Sequence, residues 1–316
     1  MKDKRKTVVI NSSGSMGMSV VGAIVEKFGY LSIPLRKLGL HDYLVGKRTQ
    51  DDRFFQERVI SSLKAANNLS RLGGISIRDR DKSKPRQSIN INLISNEINY
   101  ITNNKFKDIY SLYDYSREAY AKALSYKTSY HKPFHHIEFT SDIEKYDPVK
   151  LFESYQREFG DVRYITLHRE FVSWLDSLLA TRFTSPRFKT KYYFALHSGF
   201  NQFSKYENVA SQLPGLHLNF EDLFLPNTDN IFKKISNFLD EDRSIKNEEY
   251  DLFGKLMSYN RAFTQVDKPG KNFSKLSIYV INRLLKKERL GILDSVIFYP
   301  FYLIDAYKYT RNSSST

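Results

Sequence analysis

Short apolar runs alternate with amphipathic stretches along most of this chain. Thr7 to Ile10 is a β-branched run bounded by Asn11-Ser12-Ser13-Gly14, and it predicts a buried strand. From Val20 to Phe28 the apolar positions recur at helical spacing, with Gly29 just past the end. Asp51 and Asp52 can cap a second helix that runs to about Leu72 and stops at Gly73-Gly74. The very polar stretch 78–87 predicts an exposed loop. Further on, Phe134 to Thr140 reads as a strand. Asp147-Pro148 is an N-cap and N1 pair for a helix over Leu151 to Phe159, which Gly160 closes. Val162 to Leu167 is the clearest interior strand and Phe171 to Phe183 the clearest following helix; a strand over Leu216 to Phe220 then precedes a helix over 229–239. Most of the chain beyond Asn247 reads as helical. Strands alternating with helices predict an α/β fold of three layers around a central, mainly parallel sheet. The expected organisation is one domain over 1–316, with an α/β core at 7–240 and a helical C-terminal portion at 241–316.

Composition narrows the function. The chain has 316 residues, enough for a sizeable core, and contains no cysteine. That removes disulfides, thiolate metal sites and a cysteine nucleophile, and it fits a reducing compartment. Forty-nine Lys and Arg against 35 Asp and Glu leave a formal charge of +14, which asks for an anionic partner. No nucleic-acid module accompanies that charge, so a nucleic-acid partner is not expected. The longest apolar stretch, between Asp294 and Asp305, holds ten uncharged residues, about half of what a spanning helix needs. The basic Lys2 to Lys6 segment is followed by only four apolar-run residues, too few for a signal h-region. The expected address is cytoplasmic. Arg283 to Arg289 beside the aromatic run 296–304 offers one route to peripheral membrane contact through 283–304; packing of that segment onto the domain is the other reading.

Three segments carry candidate chemistry. The loop Asn11 to Ser19, between a predicted strand and a predicted helix, offers successive backbone N–H groups and a helix N-terminus to an anion. Set against the G-x-x-x-x-G-K-[ST] pattern, Ser12 replaces the first glycine and Met18 the lysine, while Gly17 and Ser19 remain; ATP or GTP hydrolysis is therefore not expected. An ordinary β–α turn built from small residues is the alternative reading. Second, Arg169 stands where a strand leaves the sheet, and Ser177 follows eight residues on; a guanidinium fork and a hydroxyl can hold one phosphate. A surface ion pair is the plainer role for such an Arg. As a phosphate clamp Arg169 would have no obligatory partner in the empty site. Third, Phe220-Glu221-Asp222-Leu223 reads as a strand end whose carboxylates favour a helix N-terminus.

In order and spacing these segments resemble the sulfotransferases that use 3′-phosphoadenosine 5′-phosphosulfate (PAPS). The family's opening strand and loop, hydrophobic-x-G-x-x-[RK]-S-G-[TS]-[TS], is similar to Ile10 to Ser19 with Gly17 as the motif glycine. Its R-[DN]-P with a later Ser falls on Arg169 and Ser177, its Y-E-D-L on Phe220 to Leu223, and its helix-closing F-L on Phe238-Leu239. Ser15 stands where the family usually has Arg or Lys, and Glu170-Phe171 replaces the usual Asp/Asn-Pro. The resemblance covers roughly residues 7 to 240. It implies a fold like that of P-loop NTPases, a PAPS donor and a hydroxyl-bearing acceptor such as a glycan or small molecule. It further implies that Gly14, Ser15, Met16, Gly17, Met18 and Ser19 hold the 5′-phosphosulfate and that Arg169 and Ser177 hold the 3′-phosphate. Lys268 and Lys271 resemble a late basic phosphate clamp; a lysine-rich surface loop is the other reading.

Sulfuryl transfer to a hydroxyl needs a proton acceptor. His136-Ile-Glu-Phe139 resembles a stretch that carries the catalytic histidine in some carbohydrate sulfotransferases, which makes His136 the expected base, with His135 or Glu138 as alternates. A structural histidine on the strand surface is the competing reading. Adjacent strand residues cannot converge on one ion, so no metal is expected at His131, His135 and His136. Acceptor specificity is expected to come from variable loops at 31–130 and 185–210. A non-catalytic anion-binding protein of the same fold and a nucleotide-dependent kinase are the rival functions.

Overall fold

The computed structural model describes residues 6–14, 16–32, 40–46, 55–61, 63, 91–123, 135–140, 145–182, 192–224, 229–241, 249–252, 255–258 and 275–286. In chain order the elements are β1 (Thr7–Asn11), α1 (Met18–Lys27), β2 (Tyr30–Ser32), α2 (Leu40–Leu44), α3 (55–61), α4 (Ile91–Asn103), α5 (Ile109–Ala123) and β3 (His135–Thr140). There follow α6 (Pro148–Phe159), β4 (Val162–His168), α7 (Phe171–Arg182), α8 (Tyr192–Ala210), β5 (Leu216–Asn219), a 3-10 turn (Phe220–Phe224) and α9 (Asp229–Leu239). The last described elements are β6 (Glu249–Leu252), β7 (Lys255–Ser258) and α10 (Lys275–Leu285).

Strands β1 to β5 form one sheet in the order β2-β3-β1-β4-β5, every pairing parallel. A parallel strand covered on both faces must be apolar on both, and Thr-Val-Val-Ile-Asn of β1 is buried along its whole length. The chain leaves β1 toward β2 on one side and leaves β4 toward β5 on the other. Neighbouring strands with opposite exits leave a crevice beyond their carboxyl ends, where open α/β sheets bind ligands. Here that crevice lies between the residues following β1 and those following β4, which are the first two sequence motifs.

Local chemistry fixes several element ends. Asp147 accepts hydrogen bonds from the Val149 and Lys150 N–H groups at 3.0 and 3.1 Å, Pro148 opens α6, and Gly160 returns its N–H to the Gln156 carbonyl. Arg163, from β4, donates to the Phe238 carbonyl and, at 2.5 Å, to Asp240, which ties the end of α9 to the sheet. The Phe238-Leu239 pair is thereby held against β4.

The structure departs from the sequence reading in three places. Beyond residue 247 the described residues include the antiparallel hairpin β6–β7 as well as α10, so that portion is not uniformly helical. Four-residue strands are too short for an alternation to show. The stretches expected as loops carry α4, α5 and α8, and Tyr30–Ser32 adds an unexpected three-residue edge strand. The end of the second expected helix beyond 63, the polar stretch 78–87, and 287–304 lie outside the described residues. No helix among the described residues is long and apolar enough to cross a membrane.

Candidate active site at the carboxyl ends of the strands

The loop after β1 is held from α7 and α8. Trp174 of α7 is fully buried and donates its indole N–H to the Gly14 carbonyl at 2.9 Å. The Tyr206 hydroxyl of α8 lies 2.6 Å from the Leu167 carbonyl and 3.1 Å from that of Asn11, pinning the ends of β4 and β1 together. Gln202 reaches Ser13 Oγ at 3.3 Å. At the loop's end the Gly17 carbonyl accepts from Val20 and Val21, so α1 begins there and presents its first N–H groups to the crevice side. Gly17 has φ +85°, and a Cβ on it would sit 2.1 Å from two atoms of the Phe220 ring. Only glycine fits.

Phe220 joins the other two motifs. The Arg169 guanidinium lies over the same ring, 4.2 Å from its centre. Arg169 Nε donates to Ser173 Oγ at 2.9 Å, and Glu221 Oε1 is 3.7 Å away. Burial pulls the Arg169 guanidinium below its ordinary value, while Glu221 and Asp176 act the other way. Arg169 is thus partnered within the protein itself, contrary to the expectation that a clamp residue would stand without obligatory contacts. The reason is desolvation: a mostly buried cation must be compensated by aromatic face, hydroxyl and carboxylate.

A cavity of about 750 Å³ opens beyond β4 and β5, lined by His168, Arg169, Phe171, Phe203, Glu207 and Glu221 among others. On its wall His168 Nδ1 meets Glu207 Oε2 at 2.8 Å, and His168 Nε2 meets His217 Nδ1 at 2.9 Å. His217 Nε2 in turn meets the Leu213 carbonyl at 2.8 Å.

The expected site residues divide into three groups. Gly14, Met16, Gly17, Met18 and Arg169 flank the crevice, with Met16 fully buried and its sulfur 3.5 Å from the Ser13 N–H. Ser19 is described in its backbone only; Ser15, Lys268 and Lys271 lie outside the described residues. Ser177 is half-buried on α7, and the hydroxyl that meets Arg169 is Ser173, one helical turn nearer. The largest displacement concerns His136. It pairs with Thr7 at the amino end of β1, whereas Thr140 pairs with Asn11 at the carboxyl end. Four residues of parallel strand separate His136 from the crevice edge, about 13 Å. His135, opposite Tyr30, lies at that same end; Glu138, opposite Val9, lies in mid-strand. The structure therefore does not bring His136 together with Arg169. No sequence motif points to His168, His217, Glu207 or Ser173, since isolated polar residues on helices and strand ends give no local signal.

No family model matches the chain, and no curated protein matches it. Among the solved structures similar to it are three sulfotransferases. The sulfotransferase domain of the Synechococcus olefin synthase is 12% identical, with a TM-score of 0.43, over 99% of this chain and 96% of that one. The sulfotransferase domain of the curacin biosynthetic pathway is 13% identical, with a TM-score of 0.45, over 91% of this chain and 99% of that one. A Mycobacterium avium sulfotransferase is 12% identical, with a TM-score of 0.36, over 77% of this chain and 66% of that one.

Proposed function

We propose that this protein is a sulfotransferase that moves a sulfuryl group from PAPS to the hydroxyl of a carbohydrate or small molecule. One observation carries the reading: Gly17, Phe220 and Arg169, one from each of three motifs far apart in sequence, meet in a single stack at the β1/β4 crevice. In the proposed complex the N–H groups of Gly14 to Ser19 hold the 5′-phosphosulfate, as a glycine-containing loop and helix N-terminus hold anions elsewhere. Arg169 and Ser177 hold the 3′-phosphate, and Lys268 and Lys271 close on the donor. The charge of +14 attracts a polyanionic donor.

In the transfer, the acceptor oxygen attacks sulfur, the bond from sulfur to the bridging phosphate oxygen breaks, and 3′-phosphoadenosine 5′-phosphate (PAP) leaves with the electron pair. The acceptor proton passes to a base within hydrogen-bond reach, directly or through one water. The register of β3 argues against His136 in that role. The proposed step uses no metal. Isothermal titration of the full chain with PAP and with ADP tests the reading: PAP binding well above ADP is expected, and equal or absent binding of both would overturn it.

A further inference from the structure

The chain of contacts from Glu207 to the Leu213 carbonyl can be counted in hydrogens. A carbonyl only accepts, so His217 Nε2 carries hydrogen toward Leu213. A carboxylate only accepts, so His168 Nδ1 carries hydrogen toward Glu207. Two neutral imidazoles own one N–H each, and both are now spent. That leaves His168 Nε2 and His217 Nδ1 facing each other as two lone pairs at 2.9 Å, from nearly parallel rings whose centres are 5.2 Å apart. Such a contact holds only with a third hydrogen between the nitrogens.

We propose that His168 and His217 share one additional proton, and that this proton positions the end of β4, and through it Arg169, for anion capture. His168 is the last residue of β4, next to Arg169, and both line the cavity. Glu207 and Leu213 belong to α8 and the turn after it, and His217 to β5. The bridged pair therefore clips α8 to both strands at the cavity wall. Among the described residues, the other titratable and charged groups that line the cavity with His168 are Glu207 from α8, Arg169 and Glu170 after β4, and Glu221 and Asp222 from the 3-10 turn. Loss of the proton leaves two facing lone pairs, the rings separate, and the strand end loosens. Imidazole is the side chain that makes such a change near neutrality. His168 is a positioning residue here.

The clause about anion capture rests on the proposed donor site; the shared proton does not. Nitrogen NMR of the full chain, with His168→Gln and His217→Gln assigning the signals, counts N–H nitrogens in the two rings at about pH 5.5 and about pH 8.5. Three are expected at the lower pH and two at the higher; two at both would overturn the proposal. PAP affinity is then compared at the same pH values. The wild type should lose about tenfold more affinity than His217→Gln, which keeps a polar partner for His168 but cannot titrate, while the ionisation of PAP itself cancels between the two proteins. Equal losses would overturn the positioning role. PAP that binds at neither pH would end the donor reading, and the nitrogen count would still decide the shared proton.

Discussion

The Arg169 guanidinium rests 4.2 Å from the centre of the Phe220 ring, and that same ring closes on Gly17 so tightly that no Cβ fits. The backbone of the loop after β1 and the cation are thus set by one aromatic side chain. Gly17→Ala should lower stability by about 1–3 kcal/mol, combining the strained positive φ with the clash. In Gly17→Ala/Phe220→Ala the clash is gone, so chemical denaturation should show coupling between the two sites. Strict additivity would mean the ring does not press on the loop.

Arg169→Lys keeps the charge but loses the planar fork. Charge-assisted hydrogen bonds are worth about 1.5–3 kcal/mol each, so PAP affinity should fall about tenfold or more in Arg169→Lys and at least as far in Arg169→Ala. Because Arg169 also contacts Ser173 and Phe220, Arg169→Ala should lower the melting temperature as well. Unchanged PAP binding in Arg169→Ala would remove the main support for the donor site.

Glu221 is a carboxylate 3.7 Å from Arg169, so in the proposed donor complex it would compete with the phosphate for the guanidinium. Glu221→Gln removes the charge and leaves an oxygen to accept from the Glu170 N–H. PAP affinity should rise severalfold by titration calorimetry. A fall would mean that Glu221 chiefly orients the guanidinium.

Trp174→Phe removes the indole bond to the Gly14 carbonyl. The lost bond and imperfect repacking should cost about 1–3 kcal/mol, with weaker PAP binding because the loop is no longer held. Asp147→Ala is the control: losing the α6 cap should cost about 0.5–2 kcal/mol and leave PAP affinity intact. Equal effects of both on PAP would assign the loss to general instability.

The hydrogen bond from Arg163 holds the Asp240 carboxyl below its ordinary value of 3.8. A carboxyl lowered by folding adds stability that is complete above its unfolded value and lost as pH falls through the folded one. Asp240 has φ +55°, a conformation asparagine also tolerates, so Asp240→Asn isolates the charge. The melting temperature of Asp240→Asn should lie below wild type by a constant margin down to about pH 5, and the margin should close below about pH 4. A margin independent of pH would assign the effect to packing. The neighbouring Glu241, raised chiefly by burial, works in the opposite direction and is present in both proteins.

Buried parallel strands and capped helices write themselves into contiguous sequence. Val8, Val9 and Ile10 of β1 and Tyr164, Ile165 and Leu167 of β4 are apolar because both faces of the sheet are covered there, and Asp147-Pro148 with Gly160 marks the ends of α6 through bonds within one or two turns. The order of three motifs along an α/β chain was legible for the same reason. Which strand lies beside which, and in what register, was not, because hydropathy records that a face is buried and not what buries it. Register moved His136 to the amino end of the sheet; tertiary packing brought Phe220 onto Gly17 and joined His168 to a histidine 49 residues away. Such contacts follow from the strand order, to which no local run of residues is sensitive.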